Sequence, residues 1–410
     1  MINDNLKNKK LKDYFYLQKL VLRMTGVSLG ENDTDAYKLY SMFCVFLAIT
    51  YTGVEAYGLV VHINNIDMFA NVISLSASHI LGVVKVFVLL KNKTSFAKLL
   101  NTFEAGIFAP NHQRGGILED ELVEKCISYT TKQSIVYWSA VSMVLFFGIL
   151  DSVLSKIKSN DYNDWSMPLA PFSLFEVTTN AQFILVCFYQ STCLFIFASI
   201  ISSIDLLMGS VIAHMKTQFT ILKNTIKSIR SDVDDEDFSE KVTARHLQKT
   251  SAGLLQKKLK YVVTYHQSII DLTEQFEDAF NFLLLTLFIG NFLVLCFTMY
   301  HASLYPLSNT KAFMDFTYVG AICVQLLLTC YWSNELTLES ESVAYACYEV
   351  NFVGASPAFQ KNLALMIQRS QRPVVLTAGK FVNLSLDAYV SILRMSYSYY
   401  MVLRRKNEYK

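Results

Sequence analysis

Charge is scarce in this chain. Asp, Glu, Lys and Arg make up 17% of its 410 residues against 52% hydrophobic, with 29 phenylalanines, a balance that excludes an ordinary soluble domain of this size and points to a polytopic membrane protein. The net charge of +2 is spread over connections between apolar runs. No continuous basic patch forms, so no nucleic-acid partner is expected. The eight cysteines (Cys44, Cys126, Cys187, Cys193, Cys296, Cys323, Cys330, Cys347) show no CxxC spacing and no His partner, which argues against a disulfide framework and a zinc site. No GxxxxGK[ST], GxGxxG, HExxH or GxSxG string occurs, and carboxylates do not cluster outside one acidic run. The expectation is therefore no enzyme, no metal and no cofactor. There is no internal or inverted repeat of the transporter kind. The opening "MINDNLKNKKLKDYFYLQKLVLRMTG" lacks a compact apolar core and cleavage site, so the first apolar span is expected to act as a signal anchor.

Long apolar runs are abundant. Stretches of about 20 residues fall near 38–61, 68–90, 134–154, 179–208, 278–302 and 312–334, with a more polar seventh at 374–402. Lys and Arg concentrate in the N-terminal segment and in 91–133, 209–275 and 335–373, and are sparse in 62–67, 153–177 and 303–311. That alternation places the N-terminus in the cytoplasm. Seven spans would put the C-terminus outside, against the basic tail of Arg404, Arg405, Lys406 and Lys410, so a six-span arrangement with both ends inside stays open. The acidic run "SDVDDEDFSE" (231–240) reads as a solvated loop. Leu255, Leu259, Val262, Ile269 and Phe276 recur along one helical face, and Phe359, Leu363, Met366 and Ser370 line another before Pro373. Glycosylation triplets at Asn32, Asn92 and Asn383 fall in segments expected to be cytoplasmic or helical, and none is expected to be used.

The seventh run carries ions at intervals of seven. On one continuous helix Lys380, Asp387, Ser391, Arg394, Ser398 and Arg405 would share a sector of roughly 60°, opposite Ala378, Val382, Leu386, Tyr389, Leu393 and Tyr400. Facing lipid would cost about 2.5–3.5 kcal/mol per deeply placed charge, so the stripe must face protein or water. Either it is buried in its own bundle, paired with Glu55, Asp151 or Asp205, or it walls an aqueous pore shared by several subunits. Val402, on the edge of the sector, would then form an apolar ring that gates by dewetting.

The tail also carries a resemblance. "FQKNLALMIQRSQRPVVLTAGKFVNLSLDAYVSILRMSYSYYMVLRR" (359–405), preceded by "YWSNELTLESESVAYACYEVNF" (331–352), resembles the C-terminal signature of insect odorant receptors. That resemblance implies an all-α membrane protein of seven transmembrane helices, N-terminus cytoplasmic and C-terminus extracellular. The implied partition is a cytoplasmic segment 1–37, spans one to four in 38–208, a cytoplasmic helical extension 209–277, spans five and six in 278–334, an anchor helix 335–373, a pore-lining helix 374–403 and an outer tail 404–410. It implies an odorant-gated non-selective cation channel, a tetrameric heteromer with the odorant receptor coreceptor, in the dendrite plasma membrane of olfactory neurons. Val402 would be the gate residue and Arg405 would sit at the pore mouth, its positive charge opposing cations unless coreceptor subunits dominate the ring. A gustatory-type channel and a G-protein-coupled receptor are the alternatives.

The resemblance also implies a pocket for a small volatile in the outer half of the bundle. Mapped through the expected orientation, it falls on Ser76, Ser78 and His79; Ser142, Phe146 and Phe147; Phe183; Phe297; and Tyr318 with Ile322. Aromatic walls would supply burial, and a few hydroxyl or imidazole groups would fix orientation. Lys85 is expected to snorkel at the inner interface without a functional role.

Overall fold

The structure, a computed structural model, describes residues 13–30, 33–64, 66–111, 114, 116–159, 161–168, 177–239, 244–306 and 309–408, with backbone alone at 66, 67, 71, 116, 163, 230–239, 244–252 and 406–408. Among the described residues ten α-helices follow in order: α1 Tyr16–Met24, α2 Asp35–Val61, α3 Ile66–Lys91, α4 Lys93–Glu104, α5 Gly116–Lys158, α6 Asn180–Ser239, α7 Ala244–Ser303, α8 Thr310–Glu349, α9 Pro357–Ser370 and α10 Leu386–Glu408. A two-stranded hairpin, β1 Thr377–Ala378 and β2 Val382–Asn383, precedes α10.

Among the described residues six helices (α2, α3, α5, α6, α7 and α8) are long and apolar enough to cross a membrane. The 60-residue rods α6 and α7 are each about 90 Å long at about 1.5 Å per residue, far more than the roughly 30 Å of bilayer hydrocarbon. They therefore project well beyond it. On the projecting part of α7, Leu255, Leu259, Val262, Ile269 and Phe276 are all buried in the main core, as their spacing leads one to expect. Helix α9 buries Phe359, Leu363, Met366 and Ser370. It starts cleanly because Ser356 caps it, the serine hydroxyl accepting the Phe359 N–H at 3.3 Å, with Pro357 in the first turn. Thr34 and Asn309 cap α2 and α8 in the same manner.

Between α4 and α5 the connection is tied down by Arg114. Its guanidinium bonds Glu119 and the carbonyls of Ile107 and Ala109 and lies 4.3 Å from the Tyr265 ring centre. Burial works against its charge, but the Glu119 carboxylate and the neighbouring tyrosines raise its pKa further above the ordinary arginine value.

Two expectations are corrected. The acidic run does not break the chain into a loop within the described residues: α6 keeps helical backbone through Ser239, and the rest of the run lies outside them. The last span is not one helix over 374–402. Its first part is extended and folds into the hairpin, Thr377 opposite Asn383 and Ala378 opposite Val382, around a turn where Gly379 and Lys380 take φ of 64° and 62°. The physical reason is capture by α7. The Asn281 side-chain amide donates to the Thr377 carbonyl and hydroxyl at 3.1 Å, the Asn281 carbonyl accepts the Gly379 N–H at 3.4 Å, and Glu277 accepts from Thr377. Lys380 thus leaves the stripe, Ala378 and Val382 leave the opposite face, and Asn383 lies in β2.

Where α3 meets α6, a Cβ on Gly82 would overlap the side chains of Ile201 and Phe197. Gly82→Val is expected to cost about 1–3 kcal/mol by overpacking, seen as a lower thermal midpoint of the detergent-purified protein by size-exclusion fluorescence; an unchanged midpoint would show that this crossing is loose.

Candidate functional site

Five helices surround a cavity of about 110 Å³. Helix α3 supplies Leu75, Ser78, His79, Leu81 and Lys85; α5 supplies Tyr137, Val141, Val144 and Leu145; α6 supplies Leu194, Ala198, Ile201 and Ser202. From α7 come Thr286, Leu287, Gly290, Asn291 and Val294, and from α8 Tyr318, Ala321, Ile322 and Gln325. Each helix offers small or apolar residues on the facing side, so the wall is mostly hydrocarbon with isolated polar groups, the composition of a small-molecule site.

Of the residues expected at a ligand site, Ser78, His79, Tyr318 and Ile322 line this cavity together. The Ser78 and Tyr318 hydroxyls bond at 2.8 Å, and His79 Nδ1 lies 2.7 Å from the Glu55 carboxylate with its ring against Phe197 and Tyr51. The other six lie elsewhere. Ser76 is buried, with its hydroxyl on the Val72 carbonyl. Ser142 is exposed, its hydroxyl on the Trp138 carbonyl, and Phe146 is exposed beside Phe147. Phe147 stacks on Phe313, Phe183 packs against Trp165 in a separate cluster, and Phe297 meets Phe69 edge-on. These six fall on the same helices but outside the wall of this cavity, because hydropathy assigns depth and not rotation about the axis.

Lys85 does not snorkel. It is 4% exposed and reaches both oxygens of Asp205 at 2.7 and 2.9 Å, while the Gln325 amide donates to the same carboxylate. Lys85 and Gln325 are part of the cavity wall. Asn291, 8% exposed, is there too, and its amide nitrogen has no hydrogen-bond partner. Sequence reasoning missed Lys85, Gln325 and Asn291 as cavity residues, although each is a strongly polar residue inside an apolar span, the signal that marks function by default.

Helix α10 packs on α7 and α8 with Ile392 and Ser396 buried, Phe292 edge-on to Tyr399, and the Cys296 thiol 3.5 Å from the Ser396 carbonyl. Tyr389 and Leu393 pack against the core, whereas Leu386 is exposed. The polar stripe points the other way. Asp387, Ser391, Arg394, Ser398, Val402 and Arg405 are all exposed on the single chain. The ions offered as internal partners for the stripe are engaged elsewhere: Glu55 with His79, Asp205 with Lys85, and Asp151 with Thr310 and Ser166.

Against known proteins, the family model described as "7tm Odorant receptor" matches residues 65–397. The chain belongs to the 7tm odorant receptor family. It is thus a multi-pass helical membrane protein of a receptor family, not of an enzyme family. Among relatives of this odorant receptor, odorant receptor 85c of Drosophila melanogaster is 24% identical over 334 residues, 79% of each chain. Putative odorant receptor 92a of the same species is 24% identical over 203 residues, 49% of this chain and 45% of the relative. The odorant receptor coreceptor of Ooceraea biroi is 28% identical over 166 residues, 40% of this chain and 35% of the relative. The chain spans under half the length of several of the curated relatives it matches. The insect olfactory receptor OR5 of Machilis hrabei, solved in complex with eugenol, shares the fold with a TM-score of 0.74 at 17% identity, over 96% of this chain and 100% of that one.

The ion pair beside the cavity makes a testable unit. Removing one partner strands the other charge in a dry interior, at about 3–5 kcal/mol. Asp205→Leu alone is expected to lose surface expression and thermal stability in this receptor, while Lys85→Met/Asp205→Leu together recovers much of both; equal loss in single and double variants, measured by surface labelling and thermal midpoint, would contradict a stabilising pair.

Proposed function

We propose that this odorant receptor is the odorant-binding subunit of a heteromeric ligand-gated cation channel formed with the odorant receptor coreceptor. A small volatile binds the cavity among α3, α5, α6, α7 and α8 and opens a pore to which α10 contributes a wall. The N-terminus lies in the cytoplasm and the C-terminus outside, the plasma membrane of the olfactory neuron dendrite being the site of action.

The observation that carries this reading is the outward face of α10. Asp387 and Arg394 are exposed on the isolated chain, with no charged partner among the described residues. At about 2.5–3.5 kcal/mol for a charge near mid-bilayer, lipid is a poor neighbour for Arg394, two turns into α10, on the face that Asp387 begins in the first turn. A water-filled route shared with other subunits satisfies it, and it sets Val402, 64% exposed, among the pore-facing positions. In this reading Ser398, Ser391, Arg394 and Asp387 line the pore below Val402, and Arg405 stands at its outer mouth.

Coupling from cavity to pore follows the same helix. Asn291 lines the cavity and its neighbour Phe292 holds Tyr399 of α10 at 5.4 Å between ring centres. A ligand that prefers one rotation or tilt of α7 therefore shifts α10 with it. A ligand that binds both arrangements equally opens nothing, because only differential affinity moves the equilibrium.

The test is two-electrode recording from oocytes expressing this chain with and without an odorant receptor coreceptor, against an odorant panel. Odorant-evoked cation current is expected only with both chains, and it persists in excised patches lacking GTP; current abolished by GTP removal would overturn the channel reading. Val402→Ala is expected to raise basal current or alter permeability several-fold, and Arg405→Gln to increase inward cation current. Permeation and gating unchanged by both substitutions would remove α10 from the pore wall.

A further inference from the structure

We infer that the cavity selects a neutral volatile carrying one hydrogen-bond-accepting oxygen, and that the side-chain amide of Asn291 is the specificity-determining donor. This inference rests on the ligand-cavity part of the reading above.

Most polar groups in the wall are already committed. Ser78 Oγ donates to the Leu75 carbonyl at 2.8 Å, so the 2.8 Å contact with Tyr318 must use the tyrosine's proton. Both hydroxyl protons are spent. Thr286 donates to the Leu283 carbonyl at 2.8 Å. Ser202 donates to the Ser199 carbonyl at 3.2 Å and accepts the Trp138 indole N–H at 3.1 Å. The Gln325 amide and the Lys85 ammonium are both turned onto Asp205. Two wall groups stand apart: the Tyr137 hydroxyl has no hydrogen bond among the described residues, and Asn291 Nδ2 is buried with no partner, which makes the amide the costlier of the two to leave unpaired. A buried donor left unpaired is costly, so a ligand oxygen that accepts from it gains more than an ordinary surface hydrogen bond would.

Charge on the ligand is excluded by the same accounting. The Lys85 ammonium is closed onto a carboxylate, and His79 is closed onto Glu55. A carboxylate or ammonium ligand would lose its water and find no counter-ion. The remaining wall, with Leu75, Leu81, Val141, Val144, Leu194 and Ile322, suits a hydrocarbon body. Ketones, aldehydes and esters meet all of these demands; alkanes leave Asn291 unpaired, and acids bring an uncompensated charge.

The experiment uses heptane, heptan-2-one and heptanoate, which share one carbon skeleton, as probes. Binding is read as ligand-induced thermal stabilisation of the full chain in lipid nanodiscs, and gating as current in cells that also express the coreceptor. Heptan-2-one is expected to act at a concentration about tenfold or more below heptane, the discrimination expected from pairing one buried donor, with heptanoate weaker than both. Asn291→Leu, close in volume and well suited to an apolar bundle, is expected to fold, to keep heptane binding, and to close the gap between heptane and heptan-2-one. Equal potency of heptane and heptan-2-one on the unaltered protein, heptanoate as potent as the ketone, no stabilisation by any probe, or an Asn291→Leu variant that keeps the gap would each overturn the inference. The expected binding order without any evoked current would support the inference and refute the channel, whereas odorant current without the order would refute the inference alone.

Discussion

The bilayer's demand that every charge inside it be paired, buried or wetted organises this receptor. Among the described residues three polar contacts meet that demand between helices: the Lys85–Asp205 ion pair links α3 to α6, and the carboxylate–imidazole contacts of Glu55 with His79 and of Asp315 with His301 link α2 to α3 and α8 to α7. Each is nearly or fully closed from solvent, and each ties helices that apolar packing alone would leave free to slide in lipid, which offers no hydrophobic drive for their association. Asp151 is held instead by the Thr310 and Ser166 hydroxyls. Asp387 and Arg394 on α10 are exposed with no charged partner among the described residues, and the proposed function starts from that face.

The same constraint shapes the cavity. The five helices around it are held apart by the side chains that seal its wall, and Gly82 lets α3 approach α6 closely enough for His79 to reach Phe197. Helix α7 belongs to two environments at once. Asn291 looks into the cavity, Phe292 and Cys296 touch α10, and Asn281 with Glu277 holds the hairpin from which α10 starts. A single helix of 60 residues therefore carries both the candidate ligand contact and the candidate pore contact.

Much of the architecture was legible as period and composition. Six spans stood out because about 20 apolar residues are needed to cross hydrocarbon, and the buried face of Leu255, Leu259, Val262, Ile269 and Phe276 followed from helical spacing. The hairpin at 377–383 was not legible. Its residues fit a helical stripe well, and only the hydrogen bonds offered by Asn281 and Glu277, almost a hundred positions earlier in the chain, make the extended form preferable. The cavity was half legible for a related reason. Hydropathy ranks depth along a span, but whether Ser78 or Ser142 faces inward depends on rotation about the helix axis, which neighbouring helices decide.

The sequence by itself determined that the chain crosses a membrane, where its apolar helices run, which ends of those spans carry the positive charge, and that its last helix is too polar for lipid. These are properties of local composition and periodicity, which act through solvation of single segments. Only the tertiary structure decided that Lys85 is a buried partner of Asp205, that Asn291 lines a cavity with its donor unspent, and that the stripe on α10 faces out of the single chain. Those depend on which side chains meet across helices far apart in sequence, where a hydrogen bond or an ion pair of a few ångströms outweighs what any one segment prefers.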